Sequence, residues 1–254
     1  MPKPKRGWAI TLCVAVLKPL LTVFTRRDWR DVDKIPATGG CVLVVNHVSH
    51  VDPMTYAHFV YDAGRIPRYL AKAAVFEVPV VGRVIASGGQ IPVYRQSRDA
   101  SHAFSAAVEA VGRGEAVIVH PEGTITRDPD LWPMVGKTGA ARIALATGCP
   151  VVPTAHWGPQ EILWPYTKKP RLLPRKTVHV LAGDPVDLDD LRDKPLTPEV
   201  LHEATDRIMA AITALLERIR GASAPDVRFD PKAHDTPEIG NPNRRRRARK
   251  KGSR

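Results

Sequence analysis

Cys41-Val42-Leu43-Val44-Val45-Asn46-His47-Val48-Ser49-His50-Val51-Asp52-Pro53 decides how the rest of the chain is read. The run Cys41 to Val45 is short, apolar and fenced by Gly39-Gly40, the pattern of a buried strand. His47 falls just past its end. Pro53 suits the first position of a helix, where its missing N–H would have had no intrahelical partner, and Asp52 then takes the N-cap. A strand-to-helix turn of this kind can bring a carboxylate against one ring nitrogen of a histidine and leave the other nitrogen as a base. Two other readings fit the same spacing. Asp52 can serve only as a cap, or His47 and His50 can form a His-x-x-His metal site, although no cysteine or carboxylate cluster completes a tetrahedral set.

Outward from this stretch, β-type runs alternate with helical patterns. The expected strands are Cys41 to Val45, Ile66 to Ala71, Gln90 to Val93, Ala116 to Val119, Pro150 to Thr154 and Thr177 to Leu181. The expected helices lie near Pro53 to Tyr61, Val80 to Ala86, Asp99 to Gly112 and Thr138 to Thr147. Such alternation predicts an α/β domain with a largely parallel sheet flanked by helices. A last helix opens at Thr197-Pro198, buries a stripe from Val200 to Ile219 and closes at Gly221. In a parallel sheet the C-terminal strand ends share one edge, where ligands bind. His47, Lys72, Arg95 and Glu122 each follow an expected strand, so a base, two cations and an acid would meet on one rim.

The chain has 254 residues, 43% apolar and 25% charged, enough for one sizeable core with appendages. Its three cysteines, Cys13, Cys41 and Cys149, lack Cys-x-x-Cys spacing, so neither a disulfide framework nor a zinc ribbon is indicated and a reducing, cytoplasmic setting fits. The net charge of +12 sits at the ends. Residues 244–254 carry eight Lys/Arg and no acid, residues 1–34 carry eight Lys/Arg and three Asp, and the body between is nearly neutral. Attachment through the ends, to anionic lipid or to nucleic acid, is therefore expected, rather than a basic active-site face.

Trp8 to Phe24 is apolar except for Thr11, Lys18 and Thr22, and Pro19 interrupts it. A charge and a proline at mid-segment argue against a simple span. The pattern fits a kinked helix lying in the bilayer interface on a face containing Ile10, Val14, Leu17, Leu21 and Phe24, with Lys18 snorkelling. A signal peptide is the competitor, without a small-x-small cleavage site after the run; a helix packed on the domain is the third reading. Gly136-Lys137-Thr138 resembles the end of a phosphate loop, but Leu131 stands where the first glycine is needed. The organisation expected is an N-terminal amphipathic membrane-associated segment over 1–34, an α/β domain over 35–221, and a disordered basic tail over 222–254.

Four blocks then occur in order: Asn46-His47-Val48-Ser49-His50-Val51-Asp52, Gly89-Gln90-Ile91-Pro92-Val93-Tyr94-Arg95, Pro121-Glu122-Gly123-Thr124, and Pro150-Val151-Val152-Pro153. Together they resemble the glycerolipid acyltransferases with a His-x4-Asp motif, the family of 1-acylglycerol-3-phosphate acyltransferase. The resemblance implies transfer of a fatty acyl group from acyl-CoA or acyl-carrier-protein to lysophosphatidic acid at a cytoplasmic membrane surface, with no metal or prosthetic group. It implies His47 as the base that takes the acceptor's hydroxyl proton, with Asp52 as its orienter; the acceptor then attacks directly, without a serine acyl-enzyme, which fits a sequence with no Gly-x-Ser-x-Gly elbow. It implies Arg95 as phosphate ligand, with Glu122, Gly123, Thr124 and Lys72 as further substrate-binding candidates. The third block in the family continues Arg-Ser, whereas here Ile125-Thr126-Arg127 follows, so glycerol 3-phosphate or a glycolipid stays open as acceptor. A lipid-binding or nucleic-acid-binding protein without turnover is the rival from another class, opposed by the intact His47/Asp52 pair.

Overall fold

A computed structural model describes residues 7–93, 100–234, 236, 237 and 241; Arg95 and the basic run 244–254 lie outside the described residues. Seven strands form one sheet: β1 (Thr25–Arg30), β2 (Cys41–Val45), β3 (Pro67–Lys72), β4 (Ile91–Val93), β5 (Ala116–Val119), β6 (Val151–Trp157) and β7 (Lys176–Ala182). Their spatial order is β1-β7-β6-β2-β5-β3-β4. β2 lies at the centre with all five residues buried, between parallel β5 and β6. β3 and β4 extend the parallel set. β7 runs antiparallel to β6, and β1 pairs with β7 in parallel, so one edge of a largely parallel sheet is reversed.

Side chains on a strand alternate between faces, and β2 shows the result directly. Val42 and Val44 join a cluster with Val117, Val119 and Val151 beneath α4 (Ala100–Gly112), α5 (Gly139–Thr147) and the long C-terminal helix (Pro198–Arg220). Cys41, Leu43 and Val45 join Ile118, Val152, Tyr56, Phe59 and Val60 on the other face, beneath α2 (Asp52–Asp62). A continuous apolar run is what a strand covered on both faces requires. The long helix begins and ends as the sequence predicts, with Thr197 Oγ1 accepting the Val200 N–H and Gly221 at φ 61°.

Gly136 owes its place to packing rather than to phosphate binding. A Cβ there would lie 2.8 Å from Met209 Cγ and from Thr205 Cγ2 on the long helix.

Three departures from the sequence reading concern the ends and the sheet edge. Residues 25–30, expected within an N-terminal appendage, are the edge strand β1, so the sheet begins inside the segment assigned to 1–34. Their charged sequence, Thr-Arg-Arg-Asp-Trp-Arg, carries no apolar signal because an edge strand is exposed on one side. The helix α1 (Trp8–Phe24) is present, but it packs on the domain through Ile10, which is buried, and through half-buried Leu17 and Phe24, the face expected to meet lipid. Lys18 does not snorkel: its Nζ lies 2.5 Å from Asp62 on α2. Trp8, Leu12, Val16, Leu20 and Val23 form the exposed apolar stripe instead.

Residues 222–234, expected in a disordered tail, fold back along the body. Ala224 N–H donates to Glu217, Val135 N–H donates to the Phe229 carbonyl, Arg228 pairs with Asp206, and Pro231 is buried.

Candidate active site

His47 lies just past the end of β2, and Asp52 is the first residue of α2, so a four-residue turn, Val48 to Val51, separates them. Asp52 is not an N-cap. Val51 holds that position, and the Asp52 carboxylate turns back into the loop rather than along the helix. Its Oδ2 accepts the Val48 N–H at 2.6 Å and the Ser49 N–H at 2.8 Å, and lies 2.7 Å from His47 Nδ1. An acceptor already holding two N–H donors fixes Nδ1 as the protonated nitrogen of His47. Nε2 is left with its lone pair. Asp52 is fully buried, whereas the His47 side chain keeps 16% of its surface exposed, so the pair is covered on the carboxylate side and open at the histidine.

The main chain of His47 is clamped as firmly as its ring. Its N–H donates to Glu122 Oε1 at 2.9 Å, and its carbonyl accepts the Thr126 N–H at 2.8 Å. Glu122 Oε2 accepts the Met134 N–H at 3.0 Å. Glu122 is therefore a buried positioning carboxylate, which corrects its assignment as a substrate-binding residue: both oxygens hold backbone, and only 2% of it is exposed. Burial pushes its carboxyl up to about 8, against the opposing Met134 and His47 N–H groups.

Gly123 has φ 69°, and its N–H closes a turn onto the His120 carbonyl at 2.9 Å. That N–H, the group through which a glycine would bind substrate, is thus used inside the turn. A Cβ at Gly123 would come within 3.1 Å of Lys137 Cδ, so the glycine permits both the left-handed turn and the close approach. Thr124 is half-buried, and the Tyr166 hydroxyl donates to the carbonyl of the next residue, Ile125, at 2.7 Å. Arg127 places its guanidinium 5.4 Å from the Tyr166 ring centre. Lys72 is exposed at the end of β3, and no hydrogen bond or ion pair joins it to His47 or Asp52 among the described residues. Arg95 lies outside the described residues, two positions beyond β4. Of the rim residues expected from the sequence, His47, Asp52 and Glu122 are thus brought into one hydrogen-bonded unit.

Burial is the main influence on His47 and takes it down to about 3, with His50 adding to the effect. The imidazole is therefore neutral at neutral pH, with the lone pair on Nε2. Burial raises Asp52, opposed by His156, His120 and the Ser49 and Val48 N–H groups.

Two histidines of the site were not anticipated. His120 stacks on His47 with ring centres 4.3 Å apart and planes at 22°, and Tyr69 continues the stack at 6.2 Å. His120 immediately follows β5, the same strand-end position that singled out Glu122, so the rim rule covered it. His156 lies on β6, fully buried, with its Nδ1 3.8 Å from Asp52 Oδ1. Only the β2–β6 register, Val45 opposite Thr154, puts it beside His47, and that register is not readable from local pattern. Asn46 fastens the two strands there, donating to the His156 carbonyl at 3.0 Å and accepting its N–H at 2.8 Å.

His50 sits edge-on to Tyr166, ring centres 6.0 Å apart, while Asp52 holds Nδ1 of His47. No group of three or more His, Cys, Asp or Glu is placed to hold a metal ion among the described residues.

Comparison with known proteins follows the same residues. A family model described as Acyltransferase matches residues 26–157, from β1 to the end of β6. The chain is 32% identical over 142 residues to the chloroplastic 1-acyl-sn-glycerol-3-phosphate acyltransferase BAT2 of Brassica napus, covering 55% of this chain and 40% of that one. It is 31% identical over 122 residues to a 1-acyl-sn-glycerol-3-phosphate acyltransferase of Borreliella burgdorferi, covering 48% and 47%. The matches thus span less than half the length of these relatives. The crystal structure of PlsC, the 1-acyl-sn-glycerophosphate acyltransferase of Thermotoga maritima, superposes with a TM-score of 0.63 at 22% identity, covering 85% of this chain and 81% of that one, which is a likeness of fold. With the model spanning more than half of the sequence and containing His47, Asp52 and Glu122, the chain belongs to the acyltransferase family.

Proposed function

We propose that the protein transfers a fatty acyl group from an acyl thioester to the free hydroxyl of 1-acylglycerol 3-phosphate, giving phosphatidic acid. The observation that carries the reading is the 2.7 Å contact between His47 Nδ1 and buried Asp52, with the histidine on the open side. His47 Nε2 takes the hydroxyl proton as the oxygen attacks the thioester carbon. Asp52 stabilises the imidazolium that forms. Collapse of the tetrahedral intermediate breaks the carbon–sulfur bond, and the imidazolium returns the proton to the departing thiolate, so the base is regenerated and the products are ester and thiol. A positioned base supplies ~10²–10⁴-fold. The relatives named for this acceptor support its identity, with Arg95 as phosphate ligand by paired charge-assisted hydrogen bonds.

The protein works at the cytoplasmic face of a membrane, held by α1. No described helix is long and apolar enough to cross a membrane. α1 instead lies across the body with Trp8, Leu12, Val16, Leu20 and Val23 exposed as one stripe, and Arg26 and Arg27 lie exposed just past its C-terminus. Apolar burial plus attraction to anionic headgroups is how such a helix binds.

A second reading, acylation of another membrane acceptor such as glycerol 3-phosphate or a glycolipid, is favoured by one feature: Ile125-Thr126-Arg127 follows the Glu-Gly-Thr block, moving the arginine two places on. The experiment is an assay of the purified full chain with long-chain acyl-CoA and acyl-carrier-protein against 1-acylglycerol 3-phosphate, glycerol 3-phosphate and an unphosphorylated glycolipid. Phosphatidic acid as main product supports the first reading. Turnover confined to the glycolipid replaces it with the second, and no turnover with any acceptor, alongside tight vesicle or RNA binding, gives the case to the non-catalytic rival.

A further inference from the structure

Asp52 is held from one side only by the contacts described so far. Oδ2 takes His47 Nδ1, the Val48 N–H and the Ser49 N–H, while Oδ1 is buried and has no hydrogen-bond partner among the described residues. Facing Oδ1 at 3.8 Å is Nδ1 of His156, itself buried and without a hydrogen-bond partner. An unpaired buried polar atom costs ~1–3 kcal/mol. Two such buried atoms of complementary kind, 3.8 Å apart, are better explained as a pair than as two separate losses.

The surroundings leave His156 little freedom. Its backbone is held on both sides by the Asn46 amide, and its Nε2 lies 3.3 Å from Thr55 Oγ1 in the first turn of α2. The ring carries its proton on one nitrogen or the other. With the proton on Nε2, the Nδ1 lone pair would point at a carboxylate oxygen, which is repulsive. With the proton on Nδ1, that N–H points at Oδ1, and the Thr55 hydroxyl, which lies 3.2 Å from the Val51 and Asp52 carbonyls, turns its one proton from them to Nε2; the repulsion at Oδ1, not the Thr55 contact, decides between the two forms. At 3.8 Å the contact is electrostatic, and a movement of under about 1 Å makes it a hydrogen bond.

We propose that His156 is a positioning residue, which directs Nδ1–H at the otherwise free oxygen of Asp52 and so keeps that carboxylate ionised and oriented against His47. The inference rests on the reading of His47 and Asp52 as base and orienter. The groups facing Asp52 are His47 from its own loop, His120 and Glu122 from the loop after β5, His156 from β6 and Tyr69 from β3. Those facing His156 are Asp52, His120, His47 and His179, with the Tyr56 ring centre 5.9 Å away. Burial lowers His156 to about 4, Asp52 opposing and the other histidines adding. At neutral pH the donor is therefore a neutral ring, and Asp52 gains an N–H without a second full charge being buried beside it.

Two measurements on the full chain test this. Ring-nitrogen NMR of protein carrying ¹⁵N-histidine should show His156 protonated at Nδ1 and bare at Nε2, with Asp52→Asn moving the Nδ1 signal. Steady-state kinetics with acyl-CoA and 1-acylglycerol 3-phosphate should separate two near-isosteres: an asparagine amide falls near ring Nδ1, a glutamine amide near Nε2. His156→Asn should keep kcat within a few-fold. His156→Gln and His156→Leu should lose kcat roughly ten- to a hundredfold, the loss of one hydrogen bond to a charged group, with KM for both substrates nearly unchanged. In both of the latter the acid limb of kcat should move to higher pH, because Asp52 has lost a donor that favours its ionised form. A wild-type His156 protonated at Nε2 would overturn the proposal. So would Gln and Leu variants with normal kcat and acid limb while His47→Ala is inactive. If His47→Ala itself turned over normally, the base assignment would fall, and the ring-nitrogen signals would still decide whether His156 donates to Asp52.

Discussion

Replacing Glu122 with glutamine separates a residue that binds substrate from one that holds the base. Glu122 accepts two backbone N–H groups, from His47 at 2.9 Å and Met134 at 3.0 Å. Glutamine offers one carbonyl oxygen, so its NH₂ must face the other N–H, donor against donor. Above about pH 8, where the carboxylate is ionised, the lost hydrogen bond is to a charged group and should cost ~1.5–3 kcal/mol of stability, from which relief of the carboxylate's own burial subtracts. Catalysis should fall with it, since His47 loses one of its two main-chain restraints, and the fall should appear in kcat while KM for the acceptor stays level. The pH dependence has a defined sign. Burial raises the folded Glu122 to about 8 from an ordinary 4.5, so the folded protein keeps a proton there that the unfolded chain releases. This group's contribution to stability is full below about pH 4.5 and is lost as pH rises towards about 8. Urea unfolding across that range should therefore be flatter for Glu122→Gln than for the wild type. A variant with unchanged kcat and stability but a strongly raised acceptor KM would refute the positioning role and restore the substrate contact.

Three other outcomes are expected. His47→Ala and Asp52→Asn should each lower kcat by ~10²–10⁴-fold while circular dichroism stays that of the folded protein; near-normal turnover in either would end the base-and-orienter mechanism. Arg95→Ala should weaken acceptor binding by ~1.5–3 kcal/mol, read as a raised KM for 1-acylglycerol 3-phosphate and a lost preference for phosphorylated over unphosphorylated acceptors; an intact preference would favour the glycolipid reading. Leu12→Glu with Leu20→Glu, on the exposed stripe of α1, should release the protein from anionic vesicles at physiological salt and leave its Tm nearly unchanged, whereas deleting residues 244–254 should leave it bound; release by the tail deletion alone would move the anchor to the C-terminus.

Local pattern was sufficient for the buried middle of the sheet. Cys41–Val45 and Ala116–Val119 are strands at the expected bounds, because a strand covered on both faces must be apolar throughout and is interrupted sharply by turn residues. β1 carries no such signal, since Arg26, Arg27 and Arg30 are exposed on an edge. The direction of α1 was mistaken for a related reason: a helix apolar over most of its circumference does not announce which side meets protein. Lys18, placed at the lipid boundary by periodicity, has its partner in Asp62, 44 positions away. At the site, the His47–Asp52 contact is legible because the four residues of turn between them fix it locally. The roles of Glu122 and Gly123 were not, because each depends on backbone groups from distant loops. His156 reaches Asp52 only through strand register, which a single sequence states nowhere.

α2 carries Asp52, the partner of His47, at its first residue and, at its last, the Asp62 that pairs with Lys18 and Arg27 of the N-terminal region. At about 1.5 Å per residue this helix is a rod on the order of 15 Å long. On the proposed membrane-bound reading, with the exposed stripe of α1 seated in lipid, that rod would tie His47 to α1 as a spacer of fixed length, where a flexible linker would leave the separation free. Under that reading the fixed separation would make the position of an acceptor hydroxyl relative to the membrane surface, as well as its chemistry, a condition for reaction.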